Sequence, residues 1–270
     1  MIKLIALDLD GTVVSHELGI SSRVLSTLKH LLKETDIKLV IATGRMYPSA
    51  VSFAKQIGIT EPLIAYQGAL IKGLVPPHEV ILHSPIALET AAELLKMLIA
   101  EKYHINMYID DILWTTPDNA FASFYAKTAL VQPNFATNLL DQLTSAPTKI
   151  MVIDDTRVDS LLEKLAKTFN GKLTFCRSRT NFCEIIEASV SKWNAIKLLA
   201  DQHNIQPHEI MAIGDQGNDI SMISGAGIGV AMGNAPDAVK AVADDVTAPI
   251  DKDGVAIAIE KHVIPQLALS

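Results

Sequence analysis

The stretch Leu4-Ile5-Ala6-Leu7-Asp8-Leu9-Asp10-Gly11-Thr12 decides how this chain is read. Residues 2–7 form a short apolar run rich in strand formers, and the run ends at two carboxylates placed two residues apart. An uninterrupted apolar strand is buried on both faces, as in a parallel sheet covered by helices. Gly11 permits a sharp turn beyond Asp10. In an open parallel sheet, ligands bind beyond the carboxyl ends of the strands. Asp8 and Asp10 therefore stand where a site is expected.

Working outward, strands alternate with helices. Ser21 is a candidate N-cap for a helix from Ser22, whose Val24, Leu25, Leu28, Leu31 and Leu32 follow the helical period. A second strand is expected at Ile37–Ile41, a helix from about Tyr47 to Ile57, and a third strand at Leu63–Tyr66. The end of the chain repeats the pattern. It reads as helix 192–204, strand Ile210–Ile213, helix 217–224, strand Ile228–Ala231, helix 235–242 and a short strand near Val246. Such alternation implies parallel βαβ units.

The middle differs. His83-Ser84-Pro85 reads as a linker, followed by helix 86–102 and two adjacent strands, Ile105–Ile109 and Leu113–Thr115. Helices near 119–129 and 136–143 come next, then strand Lys149–Ile153, helix 156–168, and strands Lys172–Phe175 and Phe182–Glu187. Consecutive strands mark an α+β unit. The expected organisation is an α/β, Rossmann-like parallel-sheet core in two pieces, 1–83 and 187–270, interrupted by an inserted α+β domain at 84–186.

Composition narrows the function. The chain has 270 residues, 49% hydrophobic and 20% charged, enough for two modest globular domains. Mean hydropathy is +0.27. The uncharged stretch 220–236 nevertheless carries four glycines and a proline, whereas a spanning helix needs about 20 mainly apolar residues. No membrane span is expected. The net charge of −7, with no basic run, argues against a nucleic-acid partner. Asp8 follows Met1 too closely for a signal peptide. Cys176 and Cys183 are too few for a disulfide framework or a cysteine-rich zinc site, and they read as free thiols of a reducing cytoplasm. His16, His78 and His83 show no metal-ligand spacing. The acidic excess concentrates in residues 187–270, with 11 acidic and 5 basic side chains.

Three further segments carry chemistry. The second strand ends in Thr43-Gly44-Arg45, where a hydroxyl and backbone N–H groups before a helix make an anion seat. Ser191-Lys192 opens a helix, and strand Ile210–Ile213 ends in Gly214-Asp215-Gln216-Gly217-Asn218-Asp219. Two strands from opposite ends of the chain thus deliver acids to one sheet edge. Several carboxylates in a small space repel one another unless a cation neutralises them. All-oxygen ligands in an open site favour Mg²⁺. A neighbouring Thr and Lys supply donors for a dianionic phosphate. Together these groups point to phosphoryl transfer, which relies on positioning and charge stabilisation.

These four segments resemble the motifs of the haloacid dehalogenase-like superfamily, and their order and spacing resemble its Cof-type sugar-phosphate phosphatases. The likeness runs over essentially the whole chain. It implies a Mg²⁺-dependent phosphatase of small phosphate esters, with Asp8 as the nucleophile forming an aspartyl-phosphate and Asp10 as the acid and base. It implies Mg²⁺ held by the Asp8 carboxylate, the Asp10 carbonyl and Asp215, with Asp219 supporting the metal's water shell. It places Thr43, Lys192, Asn218 and the Leu9 and Gly44 amides around the phosphoryl group. The inserted domain becomes a cap that selects the substrate, with His104, Arg177 and Arg179 as candidate contacts. Two residues depart from the pattern. Trp193 stands where the family has Gly, either crowding the lysine and walling the pocket or packing outward. Gln67 replaces the Asn of Asn-Gly-Ala. Alternatives are a phosphomutase on the same core, or a relative that binds phosphometabolites without turnover. A monomer or small homo-oligomer is expected.

Overall fold

A computed structural model describes residues 1–15, 19–117, 120–129 and 131–267. The first third contains β1 (Leu4–Leu7), α1 (Ser22–Glu34), β2 (Lys38–Ile41), α2 (Tyr47–Ile57), β3 (Leu63–Ala65), β4 (Leu70–Lys72) and β5 (Val80–His83). The middle contains α3 (Leu88–Ala100), β6 (His104–Ile109), β7 (Ile112–Thr115), α4 (Ala120–Ala129), β8 (Asn134–Phe135), β9 (Lys149–Ile153), α5 (Val158–Thr168), β10 (Leu173–Arg179) and β11 (Phe182–Glu187). The last third contains α6 (Lys192–Gln202), β12 (Ile210–Gly214), α7 (Ile220–Gly225), β13 (Ile228–Ala231), α8 (Asp237–Lys240), β14 (Asp245–Val246), α9 (Gly254–His262) and α10 (Ile264–Leu267).

The central sheet runs β14-β13-β12-β1-β2 with every pair parallel. Side-chain alternation explains both its layers and its register. Ile5, Leu7, Leu39 and Ile41 join the cluster of α1, α2 and α9, while Leu4, Ala6, Val40 and Ala42 join that of α6, α7 and α8. Fully burying each Leu or Ile is worth about 1.5–3 kcal/mol. A one-residue slip would exchange the two faces of a strand. Leu7 lies opposite both Ile213 and Ile41, so Asp8, Ala42 and Gly214 leave the sheet at the same edge.

A parallel bridge from Ala42 to Ile64 leads to the antiparallel sheet β3-β4-β5. A third sheet, β10-β11-β9-β6-β7-β8, is antiparallel except for the parallel pair β7–β8. One face buries Ile105, Met107, Ile150, Val152 and Ile185 against α3 and α5. Residues on the other face, Tyr108, Met151, Ile153 and Phe182, pack in the same cluster as α1, α2 and Tyr66. The six-stranded layer is therefore laid over the parallel-sheet layer through a continuous apolar contact.

Several elements differ from the sequence expectation. The β4–β5 hairpin stands where no element was expected and meets the expected linker at His83 alone; β5 is half exposed and its apolar pattern is weak. Helix α9 starts after Asp253 without a side-chain cap, so no start signal marks it. The helix expected at 136–143 is a single 3₁₀ turn, Leu139–Gln142, opened by the Asn138 side chain accepting from the Leu140 N–H. Of the helix expected near 119–129, residue 119 lies outside the described residues, as does His16. No helix among the described residues is long and apolar enough to cross a membrane.

Candidate active site

Three strand ends build the site. After β1 the chain turns at Gly11, whose φ of +86° suits glycine, and an added Cβ there would fall 2.3 Å from Asp215 Oδ2. After β12 the Gln216-Gly217-Asn218-Asp219 turn closes on itself, because Asp219 Oδ2 accepts from the Asp215 and Gln216 N–H groups, both at 2.9 Å. Asp8, Asp215 and Asp219 are buried, and each offers a carboxylate oxygen within 4.8 Å of the others.

Lys192 meets these acids from α6, a helix capped by the Ser191 hydroxyl. Its buried ammonium donates to Asp8 Oδ1 and Asp219 Oδ1, both at 2.6 Å. Asp215 accepts from Thr12 Oγ1 at 3.0 Å and Gln216 Nε2 at 3.1 Å. Burial raises Asp8 well above the usual carboxylate range, against the opposing Lys192 charge, and the Asp219 and Asp215 charges push it further. Burial and the Asp219 charge push Asp215 up to about 7. Burial alone would lower Lys192, but Asp219 and Asp8 hold it above its ordinary value. One lysine thus leaves the cluster short of positive charge, and the all-oxygen donor set suits a hard divalent cation. The residues present fit Mg²⁺.

The phosphoryl-binding candidates surround these acids. Leu9 buries its side chain in the core and offers only backbone to the site. The Leu9 and Gly44 N–H groups have no hydrogen-bond partner among the described residues. Buried Thr43 accepts the Arg45 N–H on its hydroxyl oxygen at 3.1 Å. Asn218 donates through Nδ2 to Gln67 Oε1 at 2.9 Å, and its Oδ1 is buried without a partner. Asp10 is gripped through both carboxylate oxygens by Arg45 Nε and Nη2, each at 2.7 Å.

These groups open into a cleft roofed by Lys149, Ser178, Arg179, Phe182 and Glu184 of the six-stranded layer and by Tyr125 of α4. Arg179 lies on this cleft, whereas Arg177 pairs with Asp159 at 2.8 Å and is not among the lining residues. His104 is buried elsewhere, its ring nitrogens meeting the Thr116 and Thr115 hydroxyls, and burial lowers it to about 4. Trp193 does not line the cleft. Its indole lies against Gly225 and packs with the α6–α7 cluster. Gln67 adopts a left-handed backbone, is buried, and donates through Nε2 to Glu184 at 3.1 Å. The extra methylene thus carries the amide to the six-stranded layer.

The sequence reading gave no role to Arg45, Lys149 or Glu184. Glu184, flanked by apolar residues in Phe182-Cys183-Glu184-Ile185-Ile186, carried the available signal: a charge inside a buried strand.

Known proteins resemble this chain over nearly its whole length. The chain is 31% identical over 289 residues to phosphatase YwpJ of Bacillus subtilis, covering 97% of this chain and 100% of the relative. It is 28% identical over 265 residues to the 5-amino-6-(5-phospho-D-ribitylamino)uracil phosphatase YitU of the same organism, covering 96% and 97%. A solved HAD subclass IIB sugar phosphatase superposes with a TM-score of 0.86 at 25% identity, covering 96% of this chain and 98% of that one. The haloacid dehalogenase-like hydrolase family matches residues 5–259, which span all four strand-end and helix-start segments of the site. With its acids, lysine and threonine gathered at one sheet edge and that match across nearly its whole length, the chain belongs to the haloacid dehalogenase-like hydrolase family.

Proposed function

We propose that this chain is a Mg²⁺-dependent phosphatase of small phosphorylated metabolites, phosphorylated sugars and sugar alcohols among them, working through an aspartyl-phosphate on Asp8. The observation that carries the reading is the buried Asp8–Asp215–Asp219 cluster bridged by Lys192 beside Thr43. A phosphate dianion cannot approach three carboxylates unless their charge is neutralised.

Lys192, the Thr43 hydroxyl, the Leu9 and Gly44 N–H groups and the Asn218 amide hold the phosphoryl group. An Asp8 oxygen attacks phosphorus while the bond to the leaving oxygen breaks, and Asp10 gives that oxygen a proton. In the second half a water attacks the same phosphorus and passes its proton to Asp10. Orthophosphate leaves and Asp8 is restored. Arg45 orients Asp10 for both transfers. Asp8, Asp215 and the Asp10 carbonyl would hold Mg²⁺, with Asp219 behind its water shell, and the ion supplies charge that lets an anionic nucleophile meet an anionic ester.

In this reading residues 1–83 and 187–270 form the catalytic core and 84–186 form the cap. The organic part of the substrate meets Tyr125, Ser178, Arg179 and Phe182. The substrate class follows the relatives that are named for phosphorylated ribityl and sugar compounds. Two free cysteines fit a reducing cytoplasm. The test is hydrolysis of 4-nitrophenyl phosphate and a panel of phosphorylated sugars and polyols with Mg²⁺. Free orthophosphate should appear, and an isomeric sugar phosphate would mark a mutase instead. Equal rates for wild type and Asp8→Asn would sink the assignment of Asp8.

A further inference from the structure

Lys149 opens β9 on the face of the six-stranded sheet that lies over the parallel sheet, and its ammonium is buried. Its Nζ donates to the Gly44 carbonyl at 2.7 Å and to Glu184 Oε2 at 3.1 Å, and stands 4.8 Å from the Tyr108 ring centre. Burial alone would lower its pKa, but the Glu184 charge and hydrogen bond together with Tyr125 outweigh this and raise it, so it remains a cation at neutral pH. Glu184 also accepts from Gln67 and Ser178. Glu184 thus has partners besides Lys149, while the bond to the Gly44 carbonyl, the shorter of the two Lys149 makes, links the two layers.

That link lands on a significant peptide. The Gly44 carbonyl and the Arg45 N–H belong to one planar unit. Its oxygen is held by Lys149, and its hydrogen is given to Thr43 Oγ1 at 3.1 Å. Rotating the plane would lose both bonds. A hydroxyl oxygen that accepts one bond turns its own hydrogen toward another acceptor. Gly44 is also tightly packed, since a Cβ there would lie 2.3 Å from Gln67 Nε2.

We propose that Lys149 is a positioning residue for phosphoryl transfer. From the six-stranded layer it fixes the Gly44–Arg45 peptide, and through that peptide the Thr43 hydroxyl, so the phosphoryl-binding loop takes its working shape when the two layers are together. The inference rests on the phosphatase reading above. Lys149 touches no reacting atom in this role. Its influence is on the phosphoryl seat, so it does not depend on which alcohol leaves.

The experiment compares wild type with Lys149→Met, Lys149→Arg and the double variant Lys149→Met/Glu184→Gln. The double variant removes the counter-charge, so no unpaired carboxylate is left buried. Turnover is measured on 4-nitrophenyl phosphate and a hexose 6-phosphate. The Kd of orthophosphate with Mg²⁺ is measured by calorimetry, and folding is checked by thermal denaturation. The expected result in the folded Met variants is a kcat lowered by one common factor, tenfold or more, for both esters, with orthophosphate bound at least fivefold more weakly. Lys149→Arg should recover part of both losses. A loss confined to one ester would make Lys149 a leaving-group contact and overturn the proposal, as would unchanged orthophosphate affinity. If wild type hydrolyses neither ester, the phosphatase reading fails. The orthophosphate titration then still decides the role of Lys149, weaker binding supporting it and equal binding refuting it.

Discussion

Lys192→Met keeps an unbranched stem and deletes the charge that holds the acidic cluster together. The ammonium bridges Asp8 and Asp219 at 2.6 Å each, and all three groups are buried. Removing one member of a buried ionic group costs about 3–5 kcal/mol, because an uncompensated charge stays behind. That penalty has a ceiling, since a stranded carboxylate escapes it by taking up a proton. At 1.36 kcal/mol per pH unit, protonating a carboxyl of ordinary pKa 3.8 costs about 6 kcal/mol at pH 8 and about 2 kcal/mol at pH 5.5. In metal-free buffer the variant should lose the full 3–5 kcal/mol at pH 8 and less at pH 5.5, where a proton on Asp8, already raised by burial, relieves part of the stranded charge at a cost of about 2 kcal/mol or less. With roughly 2–4 °C of Tm per kcal/mol for a chain of this size, the loss is about 6–20 °C at pH 8 and clearly smaller at pH 5.5. Millimolar Mg²⁺ should return part of the loss at pH 8 by replacing the missing charge. Thermal denaturation in chelator and in Mg²⁺, at both pH values, reads all of this. Equal losses at the two pH values, or none at pH 8, would refute the claim that Lys192 neutralises this cluster.

Three further outcomes are expected. Gly11→Ala would place a methyl group 2.3 Å from Asp215 Oδ2 at a φ of +86°, so Mg²⁺ affinity by calorimetry should fall about tenfold or more. Asp215 has a folded pKa near 7 against an ordinary 3.8. Its raised value favours the metal-free fold below about pH 4, and that advantage is lost as pH rises through 7, where the ionised acid prefers a metal. Mg²⁺ should therefore raise Tm more at pH 8 than at pH 5.5, and an equal rise would count against the metal site. His104 is held at about 4 in the fold against 6.5 unfolded. The stability from keeping it neutral is complete above pH 6.5 and is lost as pH falls through 4, so His104→Gln should flatten the acid limb of the Tm–pH curve.

The parallel sheet and its chemistry were legible because both depend on local pattern. Strands apolar at every position, such as Leu4–Leu7 and Ile210–Ile213, must be covered on both faces. The acids that end them then reach the same edge by register alone. The edge strand β5 is hard to read because half exposure dilutes its pattern, and α9 because it begins without a side-chain cap.

What the linear order could not decide is which distant residues face each other. Trp193 follows the site lysine, yet a helix turns neighbouring side chains about 100° apart. Its indole goes to Gly225 while Lys192 goes to the acids. Arg177 and Arg179 share one strand with a bulge between them, and only Arg179 reaches the cleft. Lys149 meets Gly44 across 105 positions of sequence. The sequence by itself determined the sheet, its acidic edge and the reaction those acids suit, because each follows from the period and end of a single strand. Only the tertiary structure decided the contacts of the second layer, which depend on how the two sheets are laid together, and it set there the buried Lys149 cation on the Gly44 carbonyl.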